Sequence, residues 1–134
     1  MPYEPGQTAS LEKTVTEQDV VAFAAISLDD NPIHLDEAYA KTTRFGARIA
    51  HGMIAASLVS AVIGTRLPGN GTVYLSQTLA FKAPVMLGDT ITATATIKAV
   101  RPDKPILTLE TVVTRQDGTV ILTGEAVVLA PRVG

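Results

Sequence analysis

This chain has two histidines, and both fall in a polar stretch between two apolar helical patterns. His34 closes the run Asp29-Asp30-Asn31-Pro32-Ile33-His34, and His51 opens His51-Gly52-Met53, seventeen residues further on. Asp29 and His34 stand five residues apart across a proline. Pro32 steers Asn31 away from the helical region, and Asp and Asn side chains favour turns closed onto the backbone. A carboxylate and an imidazole can therefore converge on one small site. Such a pair suits adding water across a C=C bond beside a carbonyl, or removing it. One group takes a proton from water as it attacks, and the other delivers a proton to the neighbouring carbon. Imidazole titrates near neutrality and a carboxyl responds to burial and neighbours, so both residue types fit that work. The plainer reading is that Asp29, Asp30 and Asn31 stop a helix and turn the chain while His34 packs.

Gly52 begins an apolar run. A first-turn amide there has no helical acceptor, and the helix dipole adds positive potential. With no side chain in the way, this N–H suits a thioester carbonyl oxygen that gains charge as an enolate forms. The alternative is that Gly52 permits close packing and His51 satisfies a backbone carbonyl. Ser60 lies eight residues beyond Gly52, about two turns along. Its hydroxyl either serves a catalytic group or water, or bonds back to its own helix.

Rival chemistries lack parts. Without cysteine, two histidines seventeen residues apart make a poor metal site, so no metal is expected. There is no Gly-x-Ser-x-Gly elbow, Walker loop or Gly-x-Gly-x-x-Gly fingerprint. Pro68-Gly69-Asn70-Gly71 is a turn before a strand rather than a phosphate cradle. A net charge of −2 with no basic run argues against nucleic acid. No apolar stretch reaches the ~18–20 residues of a membrane span. The N-terminus lacks the basic-then-apolar order of a signal peptide, and a cytoplasmic protein is expected.

The elements that position these residues can be read in order. Thr8 to Val15 alternates loosely as a strand. Thr16 caps a helix over about residues 17–27, with Asp19 placed to answer it in a capping box. Asp36 to Lys41 suits a short helix, and Thr42 to Arg48 connects. From His51 to Thr65 a helix shows no polar face, so it is expected to be covered on every side. The period then changes. Thr72–Lys82, Thr90–Val100, Pro105–Thr114 and Thr119–Leu129 are rich in β-branched residues. Asp117-Gly118 signals a two-residue hairpin, and the other connections are too short for helical crossovers, so the sheet is antiparallel. The 134 residues form one α+β domain: a curved antiparallel sheet of about five strands wrapped around a long buried helix. A mean hydropathy of +0.26 is high for a small monomer, pointing to apolar surface covered by a second copy.

Asp29-x-Asn31-Pro32-x-His34, followed by Ala50-His51-Gly52-Met53 and Ser60, resembles the hydratase motif of the MaoC-like (R)-specific enoyl-CoA hydratases. The likeness continues through Leu67-Pro68-Gly69, Leu79 to Val85, Gly88-Asp89, Asp103-Lys104-Pro105 and Gly124 to Val128. It is greatest for the short subgroup that feeds polyhydroxyalkanoate synthesis. The resemblance implies a hotdog fold and reversible hydration of trans-2-enoyl-CoA, with no cofactor beyond the CoA of the substrate. It implies Asp29 and His34 as the catalytic pair and the Gly52 amide as receiver of the thioester oxygen. Asn31, Ser60 and His51 support the site, while Asp30 occupies a free position. It implies a homodimer, or a higher assembly built from it, with acyl-CoA between subunits. By analogy Ile63 and Val128 are walls of a pocket for short to medium acyl chains. Arg66, Lys82, Arg101 and Lys104 are candidates for the CoA phosphates.

Overall fold

A computed structural model describes residues 3–131. Strand β1 (Thr8–Thr14) leads into helix α1 (Glu17–Ser27) through the expected capping box. The Thr16 hydroxyl accepts from the Asp19 N–H at 3.1 Å, and the Asp19 carboxylate accepts from the Thr16 N–H at 2.9 Å. That backbone bond, with Lys13 beside it, holds the Asp19 carboxyl below its usual range. Helix α1 ends at Leu28, a non-glycine residue in the left-handed region with φ 66°. Such a conformation costs about 1–3 kcal/mol and persists only when surrounding structure fixes it.

Two short helices follow, α2 (Pro32–Leu35) and α3 (Glu37–Lys41). The sequence anticipates only α3. Pro32 takes a position inside the first turn of α2, where its missing N–H is no loss, and Asn31 caps the turn by accepting from the Ile33 N–H at 3.2 Å. Asp29 stays in the irregular segment between α1 and α2, while His34 rides on the single turn of α2.

Helix α4 (Gly52–Thr65) lies against a six-stranded sheet. Its strands are β1, β2 (Val73–Gln77), β3 (Ala80–Phe81), β4 (Thr90–Val100), β5 (Ile106–Arg115) and β6 (Val120–Leu129). They run in the order β1-β4-β5-β6-β2, with β3 also on β6 and every pairing antiparallel. This is the hotdog arrangement. Along β4 the alternation holds as read: Ile91, Ala93, Ala95 and Ile97 are buried under α4, and the threonines between them are not. Ile54, Val59, Val62 and Ile63 complete the core from the helix side.

Three expectations need correction. The stretch 72–82 is two strands, giving six in all, because Thr78 leaves the ladder. Its N–H donates to the Glu125 carbonyl and its hydroxyl accepts from the Glu125 N–H, both at 2.9 Å. The Thr78 carbonyl sits where a Cβ on Gly124 would be, 1.9 Å from the ideal position, so only glycine fits there. The last hairpin is also one residue longer than two. Arg115 N–H donates to Thr119 O and Gly118 N–H to Arg115 O, leaving a three-residue loop with Gly118 at φ 85°. Finally, α4 is not covered on every side in the single chain. Gly52, Met53, Ser57 and Ser60 are exposed along one flank, Met53 to 50%. Beside them the edge strand β2 exposes Val73, Tyr74 and Leu75. Among the described residues no helix is long and apolar enough to cross a membrane.

Candidate active site

His34 is 8% exposed and is held by two hydrogen bonds, one from residue 48 and one to residue 49. Its Nδ1 lies 2.7 Å from the Ile49 carbonyl oxygen. A carbonyl can only accept, so Nδ1 carries a proton, and the neutral tautomer this selects has its lone pair on Nε2. The Arg48 Nε–H donates to the His34 carbonyl at 2.7 Å, and the Ile49 N–H to the Ile33 carbonyl at 3.2 Å. Arg48 also pairs with Glu17 in the first turn of α1, so the start of that helix is tied to the histidine. The third guanidinium nitrogen, Nη2, is buried with no partner among the described residues.

Asp29 follows the left-handed Leu28. Its N–H donates to the Ser27 hydroxyl at 3.1 Å, its carboxylate accepts from the Asn31 N–H at 3.3 Å, and its carbonyl accepts from His51 Nε2–H at 2.8 Å. One side-chain atom from each of Asp29, His34 and His51 lies within 4.8 Å of the other two. A single water hydrogen-bonded at ~2.8 Å to two groups spans such a gap. The cluster does not suit an ion. The His34 and His51 rings are stacked, centroids 3.8 Å apart and planes 28° from parallel, so their lone pairs lie in separate layers. A tetrahedral ion needs them to converge at ~2 Å.

Gly52 is the first residue of α4, and no described residue accepts from its N–H. A Cβ there would stand 2.9 Å from the Phe81 ring, so close packing also calls for glycine. Both readings of Gly52 therefore have a physical basis in the same place.

Three clefts flank helix α4, two of them sharing Phe23 and Ser57 and the third lined by Gly52. One of about 390 Å³ lies between α1 and α4, lined by Phe23, Ile26, Ile54, Leu58 and Ala61. A second, about 430 Å³, runs along the open flank of α4 between Met53, Ser57, Ser60, Tyr74 and Leu79. Partial burial against this wall pushes the Tyr74 phenol up to about 12, and its hydroxyl donates to Gln77 at 2.9 Å. The third, about 310 Å³, contains Gly52 together with Phe81, Arg44 and Lys82.

A family model for the MaoC-like domain matches residues 2–119. The chain belongs to the MaoC-like family. Among MaoC-like relatives, the chain is 52% identical to the (R)-specific enoyl-CoA hydratase of Rhodospirillum rubrum, over 96% of this chain and 89% of that one. It is also 52% identical to the (R)-specific enoyl-CoA hydratase of Aeromonas caviae, covering 96% of each. The solved (R)-hydratase from A. caviae involved in PHA biosynthesis superposes with a TM-score of 0.95 at 51% identity, over 97% of this chain and 98% of that one.

Within this MaoC-like site the sequence candidates divide. Asp29, His34, His51 and Asn31 come together, with Gly52 next in chain to His51. Ser60 lines the open flank of α4 with its hydroxyl unpaired among the described residues. The serine that bonds back to its own helix is Ser57, to the Ile54 carbonyl. Ile63 and Val128 are fully buried and line none of the three clefts, although Val128 is the register partner of Tyr74. Of the four cations, only Lys82 stands beside Gly52. Arg66 caps the far end of α4, Arg101 is paired with Asp103 at 3.3 Å, and Lys104 is in the turn before β5. Arg44, Arg48, Ile49 and Phe23 were not legible as site residues. Only Phe23, the sole aromatic in its helix, carried any signal.

Proposed function

We propose that this chain is an (R)-specific enoyl-CoA hydratase, converting trans-2-enoyl-CoA to (R)-3-hydroxyacyl-CoA and running the reverse dehydration. The observation that carries this reading is the convergence of Asp29 and His34 within one water's span, beside an amide of α4 with no acceptor among the described residues. A water held between the two side chains adds its oxygen to C3. One group of the Asp29–His34 pair takes a proton from it and that proton passes to C2, while the other group of the pair holds the remaining O–H. The atoms of one water are thereby added to one face of the double bond. The thioester oxygen, which gains charge as C3 is attacked, lies against the Gly52 N–H. On this reading no cofactor takes part, and CoA enters with the substrate.

The apolar cleft beside Ser60, walled by Met53, Tyr74 and Leu79, suits the acyl chain. Each methylene buried there contributes about 0.8 kcal/mol, so small changes in depth select chain length. Short to medium chains fit this reading. The cleft on the other side of Gly52 suits the CoA arm, with Arg44 and Lys82 toward its phosphates. A homodimer supplies the missing cover: paired β2 edges extend the sheet and enclose the open flank of α4. Sedimentation at micromolar concentration should return twice the chain mass, and a single-chain mass would overturn that part.

The deciding assay follows loss of crotonyl-CoA absorbance, coupled in parallel to (R)- and (S)-specific 3-hydroxyacyl-CoA dehydrogenases. Signal in the (R) arm alone is expected. Release of free CoA thiol without loss of the enoyl chromophore would make the chain a thioesterase instead. No turnover on crotonyl-CoA or longer chains would leave a non-catalytic acyl-CoA binder.

A further inference from the structure

His51 occupies the N-cap of α4, where Ser, Thr, Asp or Asn normally accept a first-turn N–H, and its side chain makes no such bond. The imidazole is turned elsewhere. It is 3% exposed, stacked on His34 at 3.8 Å on one side and 4.9 Å from the Phe23 ring. Its Nε2 lies 2.8 Å from the Asp29 carbonyl oxygen. That acceptor fixes the tautomer with Nε2 protonated, leaving Nδ1 buried and without a partner among the described residues.

What this bond holds is otherwise loosely attached. The hydrogen bonds of residues 28–31 run to Ser27, to each other, or to the next turn at Ile33 and His34. Among the described residues, His51 alone bonds this segment to the body of the protein. Leu28 ahead of it is in the left-handed region and 85% exposed, so packing there does little to restrain it. His34 needs no such help, since Arg48 and Ile49 already fix it.

We infer that His51 is a positioning residue that tethers the Asp29 backbone to the start of α4, setting the carboxylate's place relative to His34 and the Gly52 amide. The inference rests on the reading of Asp29 as catalytic. The donor and the ring are separable by substitution. His51→Phe keeps an aromatic plane against His34 and removes the N–H. His51→Gln carries an amide nitrogen near the position of Nε2 and gives up the stack.

Misplacing a catalytic group by about 1 Å costs roughly 10²-fold in rate. His51→Phe is therefore expected to lower kcat about 100-fold with KM changed less than about threefold. His51→Gln should recover at least about tenfold of that loss. In an Asp29→Asn background, where the carboxylate is already gone, His51→Phe should cost less than about threefold more. A general structural defect would instead multiply the two losses. Hydrogen exchange at the Asn31 amide, bonded to the Asp29 carboxylate, should quicken about tenfold in His51→Phe and remain near wild type in His51→Gln. Should His51→Phe not fold, His51→Leu repeats both comparisons. Wild-type kcat and exchange in the variant lacking the donor, or a full loss in the Asp29→Asn background, would overturn the tether. The exchange measurement needs no substrate, so a wild-type chain inactive on enoyl-CoA would refute the proposed activity and still leave the tether testable.

Discussion

Between Leu28 and Gly52 side chains are held one hydrogen bond at a time, whereas across β4, β5 and β6 they are held by volume. His34 has a donor bond from its own ring and an acceptor bond on its carbonyl. Asp29 has one bond per polar group. The sheet instead buries Ile91, Ile97, Leu107, Leu109 and Leu122 almost completely. Directed bonds fix a position and add little net stability, about 1 kcal/mol each. Buried aliphatic side chains add about 1.5–3 kcal/mol each and are indifferent to small rotations. The proposed chemistry thus sits on directed bonds and not on the buried aliphatic core.

Substitutions in the two regions should separate activity from stability. Asp29→Asn and His34→Gln are expected to lower kcat by about 10²–10⁴-fold, the usual size of an acid–base contribution. Asp29 is exposed, so its variant should unfold within about 0.5 kcal/mol of wild type. His34→Gln should lose about 1 kcal/mol more, for the bond to Ile49. Turnover kept near wild type in either would remove the proposed mechanism.

The opposite pattern is expected of Leu109→Ala in the middle of β5. Leu109 is fully buried between Ile97 and Ala126 on the neighbouring strands. Losing its side chain should cost about 2–5 kcal/mol in urea unfolding. The folded fraction should keep kcat within about twofold, because no bond in the 28–52 segment passes through β5. A 100-fold fall in kcat at equal folded fraction would mean that the two regions are mechanically coupled.

The same contrast explains what could be read from the chain. Repetition is legible: the alternation of Ile91, Ala93, Ala95 and Ile97 gave β4 its bounds, and Thr16 with Asp19 gave the start of α1. The Asp29, Asn31, His34 group was legible because a proline turn confines it to a few residues. Arg48 was not, since its work is done on a main-chain carbonyl fourteen residues earlier, which no side-chain pattern records. The break at Thr78 depends on a carbonyl meeting Gly124 across the sheet, again a contact outside any local pattern. The open flank of α4 was hidden for another reason. Composition reports that a helix is apolar all round, and not whether its last face is covered by its own chain or another.

The smallest of these effects concerns the cleft that joins the two regions, with Gly52 and Arg44 from one and Lys82 just past β3 from the other. Neither Arg44 nor Lys82 is in an ion pair among the described residues, and no acidic residue lines the cleft. Two cations with no ion pair among the described residues, one of them over the Phe45 ring, make beside a helix start a local field that favours a polyanion, yet both lie outside the Asp29–His34 pair. Their part should therefore be binding and not chemistry. Arg44→Gln and Lys82→Gln should each raise KM for crotonyl-CoA about tenfold, the size of a lost charge-assisted contact, with kcat within about twofold. Crotonyl-N-acetylcysteamine has the same reacting thioester and no phosphates, so its kinetics should not change. Added salt should weaken CoA-thioester binding to wild type more than to either variant, because screening acts on the contact the variants have lost. Equal losses on both thioesters would show instead that these residues shape the ground around Gly52, and the division between holding and reacting would no longer run along this cleft.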